Sequence, residues 1–248
     1  MSALSGLRGR TALVTDADTG TGRAIALAFA EAGAAVAVHA TGGIDEATPV
    51  ADEARHHGVE AIAVAGDLAD PMSAQRVADH AVAGLGSVDV LVHCGRIVPH
   101  FLVVDEPVEA WRRTIDLNCS SLFFLAQRVL PAMIERGFGR VVAMSIASDD
   151  RALTGHASAA AARAALAELV KVIAVENGTS GVTANLVSQA MTEASRPEQL
   201  VPEQLAALLA IPRPATLEEI AFACTYLASD QGAFVTGQTL HVDGGYTI

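Results

Sequence analysis

Aromatic side chains are scarce in this chain. Of 248 residues one is tryptophan, two are tyrosine and seven are phenylalanine, 4% in all. Chemistry that needs a phenol has only Tyr226 and Tyr246 to draw on. Cysteine is also rare. Cys94, Cys119 and Cys224 are an odd number without metal-ligand spacing, which speaks against a disulfide framework or a metal site and fits reduced thiols. No stretch reaches the roughly 18 uninterrupted apolar residues of a membrane span, and residues 1–10 lack the apolar core of a signal peptide. A soluble, cytoplasmic protein is expected. Basic residues are outnumbered, 16 against 28 acidic, for a net charge of −12. That balance disfavours nucleic acid and anionic membranes as partners and fits a solvated acidic surface. Repeats, linkers and low-complexity tails are missing as well, so residues 1–248 read as a single domain.

What is there is apolar and regularly punctuated. The chain is 51% hydrophobic and rich in alanine, which packs helices closely at no cost in side-chain entropy. Short apolar runs at 11–15, 35–39, 61–65, 88–93, 140–146, 182–187 and 239–242 read as strands. Between them lie helical windows at about 20–32, 45–57, 71–85, 108–136, 156–177 and 217–228, several closed by a glycine such as Gly33, Gly58 or Gly137. A Glu/Gln/Pro-rich stretch, about 190–214, reads as a lid or substrate loop. Strands apolar on both faces and separated by helices predict an α/β fold. The sheet would be doubly wound and mostly parallel, with about seven strands and helices on both faces.

A series of motifs stands in order along the chain. Among them are Gly33-Ala34-Ala35-Val36, Gly66-Asp67-Leu68, Val88-Asp89-Val90-Leu91-Val92 and Leu130-Pro131-Ala132-Met133. Gly139-Arg140-Val141-Val142 follows, and the run from Val235 through Thr236-Gly237 to Asp243-Gly244-Gly245 closes the series. Over essentially its whole length the chain resembles the short-chain dehydrogenase/reductase (SDR) family. It is closest in style to the 3-oxoacyl-(acyl carrier protein) reductase and hydroxyacyl-CoA dehydrogenase branch. The resemblance implies a single-domain Rossmann-like fold and says where functional residues belong.

The departures from the family pattern gather at those places. The family's turn after the first strand is Thr-Gly-x-x-x-Gly-x-Gly; here it is Thr15-Asp16-Ala17-Asp18-Thr19-Gly20-Thr21-Gly22. Gly20 and Gly22 match, but Asp16 replaces the first glycine, and Asp16 and Asp18 bring two negative charges to a pyrophosphate turn. They are expected either to repel a dinucleotide or to point outward and cap the next helix. After the second strand, His39-Ala40-Thr41 supplies neither the ribose acid nor the arginine for a 2′-phosphate that the family places there. Asp67, which the resemblance would set against the adenine, remains, and equally suits a cap for the helix near Pro71. Asn-Asn-Ala-Gly is replaced by His93-Cys94-Gly95-Arg96, where Arg96 is expected to fill the cleft. His93 and Cys94, adjacent on a strand, point to opposite faces and do not form a dyad.

The catalytic positions have changed together. Asn118 matches the family's helix asparagine. The family's serine falls on Ile146, with Ser145 one residue early, and its Tyr-x-x-x-Lys falls on Ala159-Ala160-Ala161-Ala162-Arg163. Asn118, Ile146, Ala159 and Arg163 are therefore vestigial catalytic positions, and Asp16, Gly20, Gly22 and Asp67 vestigial cofactor positions. Tyr226 and Tyr246 fall where the family uses residues for structure. The resemblance also places a four-helix subunit interface on the long helices, where Ala160, Ala161, Ala164 and Ala165 would permit close approach. The leading expectation is a catalytically inactive SDR subunit that binds no cofactor itself. It would form a hetero-oligomer, a tetramer, with an active SDR paralogue that carries NAD or NADP and acts on a hydroxyacyl or oxoacyl thioester. The chain resembles, as one such case, the inactive subunit of 2-(hydroxybenzyl)succinyl-CoA dehydrogenase. Two other readings stay open. One is an active oxidoreductase with a displaced acid, His156, which lies one helical turn before Ala159. The other is a ligand-binding or regulatory protein that uses the old cleft.

Overall fold

The computed structural model describes residues 6–95, 97–147, 152–195, 205 and 207–248. Seven strands form one parallel sheet in the order β3-β2-β1-β4-β5-β6-β7. They are β1 (Thr11–Val14), β2 (Ala35–Ala40), β3 (Ala61–Ala65), β4 (Val90–His93), β5 (Gly139–Ile146), β6 (Val182–Gln189) and β7 (Thr239–Val242). Side chains alternate across the sheet with period two. Val14, Val36, Val38, Val90, Val92 and Val142 enter one core, roofed by α1 (Gly20–Glu31), α2 (Ile44–Arg55) and α7 (Leu217–Ala228). Leu13, Ala37, Leu91, Val141 and Ala143 enter the other, roofed by α3 (Pro71–Leu85), α5 (Ser121–Arg136) and α6 (Ala157–Asn177). Both faces are covered, which is why the strands read as continuous apolar runs.

Helix ends follow local chemistry. Asp70 caps α3 by accepting from the Ser73 N–H at 2.6 Å, Pro71 opens the helix, and Gly86 ends it in the left-handed region. Thr216 and Glu219 close a reciprocal capping box on α7.

The long helical window differs from its sequence reading. It divides into α4 (Val108–Ile115), a π turn at Asp116–Ser120 that carries Asn118, and α5. Over Val108–Arg136 it is long and apolar enough, by length and composition, to cross a membrane. Its place is nonetheless that of a core helix, with Leu122, Leu125, Val129 and Met133 buried against the sheet.

The amino edge of the sheet is closed by charge. Asp89 accepts from the Thr11 N–H and hydroxyl at 3.0 and 3.1 Å, and pairs with Arg136 at 3.0 Å. The buried Arg140 donates to the carbonyls of Gly139 and Gly181, and the Phe138 ring carries the guanidiniums of both Arg10 and Arg140.

Candidate active site at the carboxyl edge of the sheet

The chain leaves β1 for one face of the sheet and β4 for the other, so a crevice opens between their carboxyl ends. The Thr15 hydroxyl accepts from the Cys94 N–H at 2.8 Å and ties the two turns together. Asp16 follows with φ of 43°, the one positive φ of a non-glycine residue among those described. Aspartate tolerates that region better than most residues, and here a histidine helps hold it. The Asp16 N–H donates to His39 Nδ1 at 3.1 Å, while His39 Nε2 donates to the Gly66 carbonyl at 2.8 Å. This pairing fixes a neutral tautomer. Burial depresses the His39 pKa, in keeping with that state.

The Asp16 carboxylate does not turn outward to cap α1, which corrects the second of the two sequence expectations. Its Oδ1 accepts from the Thr41 hydroxyl at 2.9 Å. Its Oδ2 is buried without a hydrogen-bond partner, 2.8 Å from where a side chain on Gly95 would begin. The carboxylate thus bridges the crevice from the end of β2 to the end of β4. Burial raises its pKa, against the pull of His39 and Thr41. The turn itself keeps its shape. A Cβ on Gly22 would stand 2.2 Å from the Asp16 carbonyl oxygen, so α1 approaches the turn as closely as glycine allows. Thr19, at the N-cap of α1, makes no side-chain capping bond, and no acid lies in the first helical turn.

Asp67 is not the cap of α3, a role Asp70 fills. It accepts from the Ala69 N–H at 3.0 Å and pairs with Arg113 of α4 at 2.6 Å. The Arg113 guanidinium holds its carboxyl below the usual range. Arg96 lies outside the described residues, as do residues 196–204 and 206 of the expected lid; Glu193–Ser195 forms a short 3₁₀ turn.

Three of the four catalytic positions, Asn118, Ala159 and Arg163, converge, and Ile146 does not join them. The π turn aims Asn118 at the backbone of Ile97, where it accepts from the N–H at 2.8 Å and donates to the carbonyl at 2.7 Å. Asn118, Ser145, Ala159 and Arg163 line one small void of about 10 Å³ together with Gly95, Met144 and Leu166. That is room for about one water molecule. Ile146 lines neither that void nor the core. It separates two larger spaces. On one side is a polar cleft of about 330 Å³, with Asp16, Thr19, Gly20, Thr21 and Gly22 along one wall and Gln189, Thr192 and Ser195 along another. On the other is an apolar cavity of about 440 Å³ among Met191, Leu205, Leu208 and Leu209.

His156 opens onto the apolar cavity, edge-on to the His100 ring at 5.7 Å, while Ala159 faces the small void. His156 stands at the N-cap of the helix that carries Ala159, and the two do not share a chamber. Tyr246, read from sequence as part of a structural tail, lines the apolar cavity. Asp243 returns the tail by accepting from the N–H groups of Gly245 and Thr247, with Gly244 and Gly245 at positive φ. The Asp-Gly-Gly motif was the signal for that turn. His93 is fully buried and hydrogen-bonds Ser121 of α5 at 2.6 Å, and burial depresses its pKa to about 4. Cys94 faces the polar cleft, and burial pushes its thiol well above the ordinary range, so it is no thiolate nucleophile.

Comparison with known proteins gives this geometry its family. Residues 16–247 match the enoyl-(acyl carrier protein) reductase group of the SDR proteins. The chain belongs to the short-chain dehydrogenase/reductase family. It is 32% identical over 239 residues to 3-oxoacyl-[acyl-carrier-protein] reductase FabG of Staphylococcus epidermidis, covering 95% of this chain and 98% of that one. A Serratia marcescens short-chain dehydrogenase/reductase superposes with a TM-score of 0.91 at 30% identity, over 98% of this chain and all of that one. A blue fluorescent protein from a metagenomic library, solved in complex with NADPH, superposes with a TM-score of 0.91 at 29% identity over the same shares. The chain's affinities are thus with SDR oxidoreductases, and with 3-oxoacyl-thioester reductases among them.

Proposed function

We propose that this chain is a catalytically silent SDR subunit that assembles with an active SDR paralogue. One observation carries the reading: where the family's acid belongs there is Ala159, facing a void too small for a phenol, beside Arg163 and an Asn118 spent on backbone. Neither tyrosine of the chain lines that void. The serine position holds Ile146, which has no proton to move.

The residues present do not fit a dinucleotide. The Asp16 carboxylate bridges the crevice at the end of β2, where a ribose acid would need open space, and Asp67 is committed to Arg113. No hydride step is therefore assigned to this chain. The NAD or NADP, and the oxidation or reduction of a hydroxyacyl or oxoacyl thioester, belong to the partner.

The surface supports an assembly role. On α6, Ala164 and Ala165 are exposed, and Val172 and Val175 are 49% and 84% exposed along the same side. Phe123 and Ile134 of α5 are exposed as well. An apolar helix pair left open to water is what a partner covers.

Two measurements test the reading. Calorimetric titration with NAD, NADH, NADP and NADPH should give no binding tighter than millimolar; a micromolar dissociation constant for any of them overturns it. Co-expression with an intact SDR encoded nearby should yield one co-purifying complex. Ala165→Trp should then split that complex at least tenfold more readily in mass photometry and lower the dehydrogenase activity in step. A complex that stays whole and fully active removes the helix pair as the interface.

A further inference from the structure

The chain passes from β4 to α4 through a turn whose apolar side chains face water. Val103 and Val104 are 77% and 87% exposed, and Phe101, Leu102, Val108 and Trp111 are exposed as well. No other window of eleven described residues exposes so many large apolar side chains. The turn is held in place by its backbone. The Phe101 N–H donates to the Gly155 carbonyl at 3.1 Å, and the Asp105 N–H to the Leu102 carbonyl at 2.9 Å. Arg113 anchors α4 through Asp67, and α4 packs along α6, so the patch adjoins the α5–α6 face. An exposed apolar patch with a polar border marks an interaction site. Here the border is largely of one sign. Asp105, Glu106 and Glu109 stand within the patch, and none of the three carboxylates makes an ion pair among the described residues. Against them stands one exposed cation, Arg112, since Arg113 is committed to Asp67. A helix start favours an acid in its first turn, which accounts for Glu109 and not for all three.

We propose that this surface docks a protein whose facing side has an apolar centre bordered by lysine or arginine, and that its acids keep copies of this chain from pairing there. The occupant is the active paralogue, so the proposal rests on the reading of the chain as a subunit. Burial of the valines, Leu102 and Trp111 supplies attraction, and the unpaired carboxylates supply the choice of partner. A second copy offers the wrong charge. The chain carries −12 overall. Its cations are largely spent: Arg23, Arg113, Arg128, Arg136 and Arg213 pair with acids of the same chain, as does Lys171, its single lysine. Patch against patch across a two-fold axis would set three carboxylates against three. An anionic lipid surface meets the same repulsion. Apolar burial attracts any apolar face, and the charged border selects the one of opposite sign.

Two experiments on the whole chain test this. The first needs no paralogue. Combining Asp105→Lys, Glu106→Lys and Glu109→Lys turns a copy of the chain into the kind of partner described, an apolar centre with a basic border. In sedimentation of labelled chains, the reversed and unmodified copies should pair at least about tenfold more tightly than either pairs with itself, and less so at about 0.5 M salt. Val103→Asp with Val104→Asp should abolish that gain; both side chains are exposed, so thermal melts should show the variant folded. No gain in the mixture, or a gain that survives the two aspartates, overturns the proposal and leaves the silent-subunit reading standing. A homodimer of the unmodified chain that the two aspartates dissolve also overturns it, because the occupant is then a copy. Uptake of the chain by neutral phosphatidylcholine vesicles, lost in the same variant, overturns it in favour of a lipid surface. The second experiment uses the complex with the intact SDR encoded nearby. The two aspartates and, separately, the three lysines should each raise its dissociation constant at least about tenfold. A complex that keeps its affinity in both variants places the paralogue elsewhere and overturns the proposal alone. A nearby SDR that binds no form of the chain overturns the subunit reading and this choice of occupant together.

Discussion

The two edges of the sheet are built from the same seven strands and have opposite characters. At the amino edge charged groups are matched: Asp89 serves Thr11 and Arg136, Arg140 reaches two carbonyls, and Phe138 lies between two guanidiniums. Among the described residues, Asp16 Oδ2, His93 Nδ1, Ser145 Oγ and Ser158 Oγ at the carboxyl edge are buried without hydrogen-bond partners, and Thr183 is the one such group near the amino edge. Each such group costs about 1–3 kcal/mol of desolvation. Folding alone would not retain a cluster of them, since apolar replacements of similar shape would be neutral or better. The contrast separates an edge whose polar groups are matched from one that keeps several of them buried and unmatched.

The largest effect should come from breaking the matched edge. Asp89 has an 11% exposed side chain and holds β1, β4 and the end of α5 at one point. Asp89→Ala leaves the Thr11 N–H unpaired and strips the carboxylate from Arg136, which keeps the Val88 carbonyl. We expect a loss of about 4 kcal/mol in denaturant melts. A loss under about 1 kcal/mol would mean that this edge is no more than surface charge.

The next effect is a pH dependence that the carboxyl edge imposes. His93 has a folded pKa of about 4 against 6.5 for the free side chain, because burial opposes its charge. Between those values the unfolded chain takes up a proton that the folded chain refuses. Stability is therefore complete above pH 6.5 and declines as pH falls to 4, by up to about 3 kcal/mol from this group. The buried His39, depressed in the same direction, adds to the slope. His93→Asn installs the residue the family carries and should flatten the curve between pH 6.5 and 4. An unchanged slope in that variant would assign the acid sensitivity elsewhere.

How much of this was legible in the sequence follows the same divide. The strands could be read because both sheet faces are buried, so that each stands out as a short continuous apolar run. The helices at 71–85 and 217–228 agree with α3 and α7, because Asp70-Pro71 and the Thr216/Glu219 box announce their starts. The carboxyl edge was legible only as departures from a family pattern. Spacing placed Ala159 and Arg163 correctly beside Asn118, yet it could not show that Asp16 would cross to Thr41, because that contact joins residues 25 apart through a single unusual φ. Nor did it find the π turn, since a π turn leaves no mark in the apolar pattern. Tyr246 was missed for a similar reason: its position depends on a tail reversal at Gly244 and Gly245, and the chemistry of the phenol does not reveal it.

A smaller effect concerns Ala159. If the void beside Ala159 were a preserved phenol site, Ala159→Tyr would fit at no cost. With only about 10 Å³ to enter, the ring must displace Met144 or Leu166, and overpacking of that kind costs about 2 kcal/mol. The triple change Ile146→Ser, Ala159→Tyr and Arg163→Lys should accordingly give negligible turnover of acyl thioesters, and only with Asp16→Gly added should a dinucleotide bind and activity rise. Substantial turnover in the triple variant would show that the crevice still accepts its cofactor.

The smallest effect sharpens the contrast most, because its sign differs from that of an ordinary buried-serine substitution. Replacing a hydrogen-bonded serine in a core removes a bond and destabilises by about 1 kcal/mol. Ser145 has no bond to lose: its hydroxyl is buried, unpartnered and paired in register only with Ser188 across the β5–β6 ladder. Ser145→Ala removes one oxygen whose desolvation the fold already bears, and leaves a gap of a single atom against Met144 and Leu166. The two terms oppose each other, and the desolvation term is the larger. We expect the midpoint in urea to stay within error or rise, by no more than about 1 kcal/mol. Thr11→Val, the matched change at the amino edge, removes a hydroxyl that bonds both Asp89 and Ser87, and should lower stability by about 1–2 kcal/mol under the same conditions. If the two variants lose stability equally, the orphaned oxygen at the carboxyl edge carries no penalty, and that edge is held by folding in the same way as the other.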